Sequence, residues 1–371
     1  MTRYAHITGW GMAVPDAILT NADLEKMVET TDEWIISRTG IRERRIAAKT
    51  ESTATLATRA GRKALESTTL SARDLDLVIV ASASPEHLFP ATACLVQDAL
   101  GAVRAGAFDL SAACSGFIYA VHLASQAIRT GAINNVLIIG AETLSRLVNW
   151  EDRETCVLFG DGAGAFVLEG RTTPGGVISG VLRSDGSGGS LLAVPAGGSR
   201  LPASFDTVER RQHTIQMNGR EVFRFATRVM ASATREVVAE AGLTLDDIEL
   251  FVPHQANLRI IEAAARGLHL PMERFMVNIE RYGNTSSASI PMAVCEAVQQ
   301  GRVRPGDHVV LVGFGAGLTW GALVLQWVET RPAPAARTRL SLWTFLAHLR
   351  SVALRVWRRL EGFFWGTSTD G

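Results

Sequence analysis

Continuous apolar runs alternate along the chain with stretches whose apolar residues recur at helical spacing. Leu75–Ala81, Asn135–Ile139, Ala165–Leu168, Leu250–Val252 and His308–Val312 read as strands. Runs apolar at every position, not at every second one, belong to strands covered on both faces. The opening residues read as a strand through Ile7. Helical patterns lie over 52–65, 115–130 and 290–300. Strands alternating with helices predict an α/β fold. The two halves echo each other. Ala127–Ile133 recurs as Ala297–Val303, Val136–Gly140 as Val309–Gly313, and the Leu75 strand as the Ile248 strand, each about 170 residues on. Three echoes in order point to an internal duplication, with an N-terminal half over 1–172 and a C-terminal half over 173–328. Two like halves packed together set matching loops opposite each other.

From Pro332 the pattern changes. Pro332–Ala336 reads as a linker, and beyond it Leu342, Phe345, Leu346, Leu349, Ala353, Val356, Leu360 and Phe364 fall at helical spacing with arginines between them. Residues 329–371 are thus expected to be a linker and a basic amphipathic tail, with 340–365 in contact with a membrane surface or a partner. A helix folded back on its own body fits the same pattern.

Composition narrows the function. The chain has 371 residues, 47% hydrophobic and 20% charged, with formal net charge zero. That balance supports a large core and no global attraction to nucleic acid. Four cysteines without a CxxC pair and no secretory signal lead us to expect a cytoplasmic protein with reduced thiols. The histidines are scattered, so no metal site is expected.

Asp109–Phe117 puts Cys114 where a strand meets a helix, among small residues that let a substrate approach. A helix start favours a thiolate, although a lone cysteine by itself reads first as a buried structural thiol. Cys94, Cys156 and Cys295 are left with the structural reading. Val252–Asn257 ends a strand on His254, where α/β sites gather; core packing explains such a histidine too. Asn284 lies in the turn-rich loop Arg281–Ala288 and also suits a helix cap. Gly313–Gly317 reads as a flexible loop after a strand, able to offer an N–H to an oxyanion. Gly160–Gly164 reads as a turn before a strand.

Together these segments, with Thr20–Val28, Asp32–Ile35 and Arg38–Arg44, resemble the β-ketoacyl-acyl-carrier-protein synthase III family over about residues 3–328. The resemblance implies a thiolase-like fold, layered α-β-α-β-α, and a homodimer. It implies an acyltransferase with Cys114, His254 and Asn284 as catalytic set and an oxyanion hole from the N–H groups of Cys114 and Ala316. Trp34, Arg38 and Arg153 would grip coenzyme A. Gln255, Ala256, Asn257, Leu258 and Arg259 would meet acyl carrier protein, and Phe89, Leu144, Phe159 and Leu191 would lie near the acyl pocket. The reaction implied joins an acyl group from acyl-coenzyme A to malonyl carrier protein, needs no cofactor and initiates fatty-acid synthesis. An acyltransferase or starter-unit enzyme of a secondary pathway is the alternative.

Overall fold

Nine main strands form two sheets. They are β1 (Tyr4–Ala13), β2 (Leu77–Ala81), β3 (Gly106–Leu110), β4 (Asn135–Thr143), β5 (Asp161–Arg171), β6 (Gly176–Ser184), β7 (Leu250–Pro253), β8 (His308–Gly315) and β9 (Thr319–Gln326). The computed structural model describes residues 2–328 and, in the tail, Leu349, Arg350, Ala353, Val356 and Trp357. The first sheet runs β1-β5-β4-β2-β3, with β3, β2 and β4 parallel and β5 and β1 antiparallel to their neighbours. The second runs β7-β8-β9-β6, with β7 and β8 parallel. Sense and order therefore repeat from one sheet to the other.

The main helices are α1 (Asp32–Thr39), α2 (Thr53–Glu66), α3 (Thr92–Leu100), α4 (Gly116–Arg129), α5 (Gly219–Glu240), α6 (Leu258–Leu268) and α7 (Ser289–Gln299). Side chains of a strand alternate between its two faces, and β4 shows what each face meets. Val136 and Ile138 enter a core shared with α4 and α7, whereas Leu137 and Ile139 pack with α2 and α3. On β8, Val309 and Leu311 face that same central core, while Val310 and Val312 face α5 and α6. The layers are thus helices, sheet, central helix pair, sheet, helices: a thiolase-like α-β-α-β-α arrangement. The central pair is apolar nearly all round because sheets cover it on both sides.

Two expectations from the sequence are corrected. Gly160–Gly164 is not a turn before a strand, because β5 itself begins at Asp161. Its glycines permit close packing: a Cβ on Gly164 would lie 2.8 Å from the Met292 amide nitrogen on α7. Likewise Gly313 and Gly315 belong to β8, so the turn after it is shorter than the sequence implies. Most of the tail expectation falls outside the described residues. Leu349, Val356 and Trp357 are helical and about half-exposed.

Candidate active site

The two sheets present their strand ends to one cavity. On the first side, β3 ends at Leu110, a short 3-10 turn spans Ala113–Ser115, and α4 starts at Gly116. Cys114 is in that turn. Ala113 before it has φ of +45°, a conformation costly for a residue with a Cβ. The turn survives because the other half holds it. The Ser115 hydroxyl lies 2.8 Å from the Thr319 hydroxyl, and Thr319 in turn bonds the Ala112 and Ala316 carbonyls. Gly315 on β8 comes so near that a Cβ there would lie 2.7 Å from the Cys114 amide nitrogen. The buried thiol is pushed up to about 12, first by desolvation, with the Ser286 hydroxyl opposing. The expectation of a resting thiolate is therefore corrected: burial outweighs the helix start, and Cys114 rests as a thiol.

On the second side, His254 follows β7, its amide bonded to the Val312 carbonyl at 2.8 Å. The ring is 1% exposed, and burial takes its pKa down to about 3, so it is neutral. Nδ1 lies 2.6 Å from the Ser289 hydroxyl at the start of α7, and that oxygen accepts the Gln255 N–H at 3.4 Å. The serine hydroxyl can donate to Nδ1, and in that tautomer Nδ1 is the acceptor and Nε2 carries the hydrogen. Nε2 is buried without a protein partner. It is a polar donor held ready for something else.

The third residue arrives on the loop before α7. The Asn284 N–H and C=O bond Leu158 and Gly160, which locks the loop beside Phe159. Its side-chain oxygen accepts the Ser286 N–H at 2.8 Å, leaving the NH₂ as the free end of the amide. Asn284 therefore caps its own local turn and not the helix, whose first residue is Ser289. Cys114, His254 and Asn284 line one cavity together with Phe159, Phe223 and Phe314. That arrangement suits a thiol nucleophile faced by two neutral hydrogen-bond donors.

The outer candidates divide. Trp34 and Arg153 come together, with the guanidinium 5.1 Å from the indole centroid. Arg38 is exposed on the same helix as Trp34, and its carbonyl receives the Asn257 amide at 2.9 Å. Arg259 is exposed over the Phe223 ring, and Ala256 and Asn257 line the cavity. Gln255 is a correction. It is 1% exposed, with its amide spent on the Pro253 and Met276 carbonyls and the Asn278 N–H, so it holds the loop and offers nothing to a partner. Leu258 packs inward as well.

Of the expected acyl-pocket residues, Phe159 lines the cavity and Leu144 packs in the same cluster without lining it. Leu191, the last residue of a 3-10 turn over Gly186–Leu191, does not reach the cavity; its neighbour Leu192, where the chain becomes extended, does. Phe89 lies away from the cavity in this chain. It is 86% exposed on the outward loop between β2 and α3. Ala316 is half-buried in the β8–β9 turn, beside the cavity-lining Gly315. Sequence reasoning missed Met217, Val222 and Phe223, which line the cavity from the start of α5 and the segment before it. Cys156 and Cys295 are buried, and Cys94 is exposed.

Comparison with known proteins gives the same frame. The family description 3-oxoacyl-[acyl-carrier-protein] synthase III matches residues 108–186, and its C-terminal counterpart matches 238–327. The chain is 56% identical over 327 residues to β-ketoacyl-[acyl-carrier-protein] synthase III of Roseiflexus sp. (strain RS-1), covering 88% of this chain and 99% of that one. It is 58% identical over 325 residues to the protein of that name from Symbiobacterium thermophilum, covering 88% and 98%. The crystal structure of the Thermus thermophilus β-ketoacyl-[acyl carrier protein] synthase III superposes with a TM-score of 0.81 at 49% identity, over 88% of this chain and all of that one. With identity at this level across both sheets and both sides of the cavity, the chain belongs to the β-ketoacyl-acyl-carrier-protein synthase III family.

Proposed function

We propose that the protein is an acyltransferase of the condensing type. It joins an acyl group from acyl-coenzyme A to malonyl carrier protein, releasing coenzyme A and carbon dioxide, and so starts fatty-acid synthesis. The observation that carries this reading is the neutral, unpartnered His254 Nε2 sharing a cavity with Cys114 and the oriented Asn284 amide. In the first half-reaction the Cys114 sulfur attacks the acyl carbonyl, and the thiol proton leaves with the coenzyme A sulfur. The N–H groups of Cys114 and Ala316 are our choice for the oxyanion donors. In the second, the C–CO₂ bond of the malonyl thioester breaks and its electrons move onto the thioester oxygen as an enolate. The His254 Nε2–H and the Asn284 NH₂ stabilise that oxygen. The carbanion then attacks the acyl-cysteine carbonyl, and the Cys114 sulfur leaves as thiolate and regains a proton. Losing carbon dioxide makes the carbanion without a base, which suits two neutral donors. The ordered Asn284 amide favours this condensation over simple acyl transfer in a secondary pathway.

Trp34, Arg38 and Arg153 form our proposed coenzyme A grip, stacking and phosphate pairing being what these side chains offer. For the carrier protein we retain Arg259, with Arg220, Arg224 and Arg228 exposed nearby on α5. We read the protein as two duplicated halves, 1–172 and 173–328, and as a homodimer. The edge strand β3 leaves Phe108 42% exposed, and the Phe89 loop adds apolar surface that a second copy would cover. Sedimentation as a monomer at micromolar concentration would remove that part. Among the described residues no helix is long and apolar enough to cross a membrane. We place the enzyme in the cytoplasm, with residues 340–365 touching a membrane surface. Equal liposome flotation of the full chain and of a chain ending at Val328 would exclude that contact.

The test of the reaction is mass spectrometry with malonyl carrier protein and a panel of acyl-coenzyme A lengths. A β-ketoacyl carrier-protein product, absent with Cys114→Ala, is expected. Acylation of Cys114 with no condensed product would move the assignment to an acyltransferase.

A further inference from the structure

Glu142, the second-last residue of β4, is completely buried and does not line the cavity. Its carboxyl joins two loops that are far apart in sequence. Oε2 accepts the Ser84 hydroxyl at 2.6 Å, the Ser84 and Ala83 N–H groups at 3.1 Å and the Ser82 hydroxyl at 3.2 Å. These belong to the loop after β2, which continues into the exposed Phe89. Oε1 faces the Ser287 hydroxyl at 2.7 Å, with the Ser287 and Ala83 N–H groups farther off at 3.3 and 3.1 Å. Ser287 is three residues from Asn284, and the intervening Ser286 N–H fixes the Asn284 amide. The contact is close because Gly140 lies beneath it: a Cβ there would lie 2.2 Å from the Ser287 carbonyl oxygen. Ser286, between the two, has φ of +47°, so the loop holds a conformation that its surroundings must enforce.

The proton count of this cluster is informative. The Ser287 hydroxyl lies 2.7 Å from Glu142 Oε1 and 2.8 Å from the Ala81 carbonyl oxygen, and it has one hydrogen to give. Were Glu142 ionised, two pure acceptors would compete for that hydrogen. A proton on Oε1 would resolve the conflict: Oε1–H would donate to Ser287, Ser287 would donate to Ala81, and Oε2 would accept from Ser84. The Ser84 oxygen already receives the Thr143 N–H at 2.9 Å, so its own hydrogen is free for Oε2. Charge gives the same answer. No cationic side chain among the described residues offsets a charge on Glu142, and burial drives its carboxyl upward against the opposing hydrogen bonds of Ser84, Ser287, Ala83 and Ser286. The titratable group facing it is Cys114, whose thiol a negative Glu142 would hold still higher. An anion here would oppose both the nucleophile and the enolate.

We propose that Glu142 is a positioning residue, kept as a neutral acid, that clamps the Asn284 loop to β4 without placing a charge beside the reacting centre. Its role rests on the condensation reading above. It acts through Ser287, Ser286 and Asn284 and touches no substrate.

Glutamine is the neutral isostere. Its NH₂ can donate to Ser287 and its carbonyl can accept from Ser84. The test measures Cys114 acylation and malonyl decarboxylation separately in wild type, Glu142→Gln, Glu142→Ala and Ser287→Ala. Glu142→Gln should decarboxylate within about threefold of wild type, a barrier change well under one tenfold step. Glu142→Ala and Ser287→Ala should lose roughly 10- to 100-fold in decarboxylation kcat, as displaced donors do, with malonyl KM and acylation nearly unchanged. Ser287→Ala leaves the buried carboxyl in place, so it decides the matter where Glu142→Ala fails to fold. Difference infrared spectra of wild type against Glu142→Gln should contain a protonated-carboxyl stretch at neutral pH. Equal impairment by Gln and Ala, equal losses in both half-reactions, or absence of that band would overturn the proposal. If wild type makes no condensed product, the condensation reading fails by itself, and the infrared band still reports the protonation of Glu142.

Discussion

Ser289→Ala tests the arrangement at its smallest point. Among the described residues the hydroxyl is the one hydrogen-bond partner of His254 Nδ1, at 2.6 Å, in a site that is 2% exposed at Ser289 and 1% at His254. Water has little room to replace it. Removing it leaves a buried acceptor unsatisfied, which costs about 1–3 kcal/mol. The imidazole can relieve that cost by moving its hydrogen from Nε2 to Nδ1 and turning toward another acceptor. Nε2 would then present a lone pair to the enolate oxygen, and the donor would be lost. Each 1.36 kcal/mol is a factor of ten, so decarboxylation should slow by roughly 10- to 100-fold. The ceiling is the on-the-order-of 10²–10³ loss seen when an oxyanion donor is removed outright. The assay is carbon dioxide release from malonyl carrier protein by acyl-enzyme, beside a separate measure of Cys114 acylation. Acylation should change little, because in the mechanism proposed above His254 acts in the second half-reaction. Ser289→Thr keeps a hydroxyl and should restore most of the rate. Nitrogen-15 chemical shifts should place the hydrogen on Nε2 in wild type and show a mixture of the two neutral tautomers in the alanine variant. Wild-type decarboxylation by Ser289→Ala, or a hydrogen on Nδ1 in wild type, would refute the tautomer argument.

Two further outcomes follow from the geometry. Gly315→Ala puts a Cβ 2.7 Å from the Cys114 amide nitrogen and 3.2 Å from the Ala112 carbonyl oxygen, both backbone. The nucleophile turn must shift, and acylation should fall about 10²-fold; near-normal acylation would show that the turn yields freely. Burial lowers the His254 pKa from 6.5 to about 3, so the unfolded chain binds a proton in this window that the folded chain does not. The stability this contributes is complete above pH 6.5 and is lost as pH falls toward 3. Between pH 6 and 4, denaturant titrations of wild type should show a slope steeper than those of His254→Asn by close to one proton, about 1.4 kcal/mol per pH unit. Parallel slopes would mean that His254 is not held neutral.

Much of the fold was legible because double-sided burial leaves a plain mark. Val136–Ile139 are apolar without interruption since α4 and α7 cover one face and α2 and α3 the other. Ser52 was readable as the start of a helix, and it caps α2 through the Thr55 N–H. The glycine segments misled for a related reason. In Asp161–Gly164 and Gly313–Gly315 the glycines mark where a neighbouring element presses on a strand, with backbone at Gly164 and Gly315 and side chains at Gly162 and Gly313, and a single sequence contains no trace of that neighbour. The resting state of Cys114 was misjudged likewise: its place at a helix start is local and visible, whereas the burial that holds the thiol protonated depends on β8 and the Asn284 loop. The cavity wall was legible only in part. Phe159 stands beside a recognisable segment, but Val222 and Phe223 look like ordinary positions on an amphipathic helix.

The chemistry asked of this cavity explains why its polar groups are neutral. An enolate is stabilised by donors, and a cationic histidine would be a stronger donor than a neutral one. A permanent cation in a buried site would also hold the malonyl carboxylate that has to leave, and so would stabilise the ground state along with the transition state. A neutral Nε2–H and an amide NH₂ favour the charge that develops on the thioester oxygen over the carboxylate charge that disappears. Burial keeps His254 neutral, the Ser289 hydroxyl offers Nδ1 a donor that favours the hydrogen on Nε2, and the Ser286 N–H holds the Asn284 amide oxygen. A histidine charged by an added carboxylate should therefore bind malonyl thioester more tightly and decarboxylate it more slowly. Ser289→Asp, which sets an acid beside Nδ1, would give a lower malonyl KM with a lower kcat. A rise in kcat in that variant would mean that donor strength, not neutrality, limits the reaction.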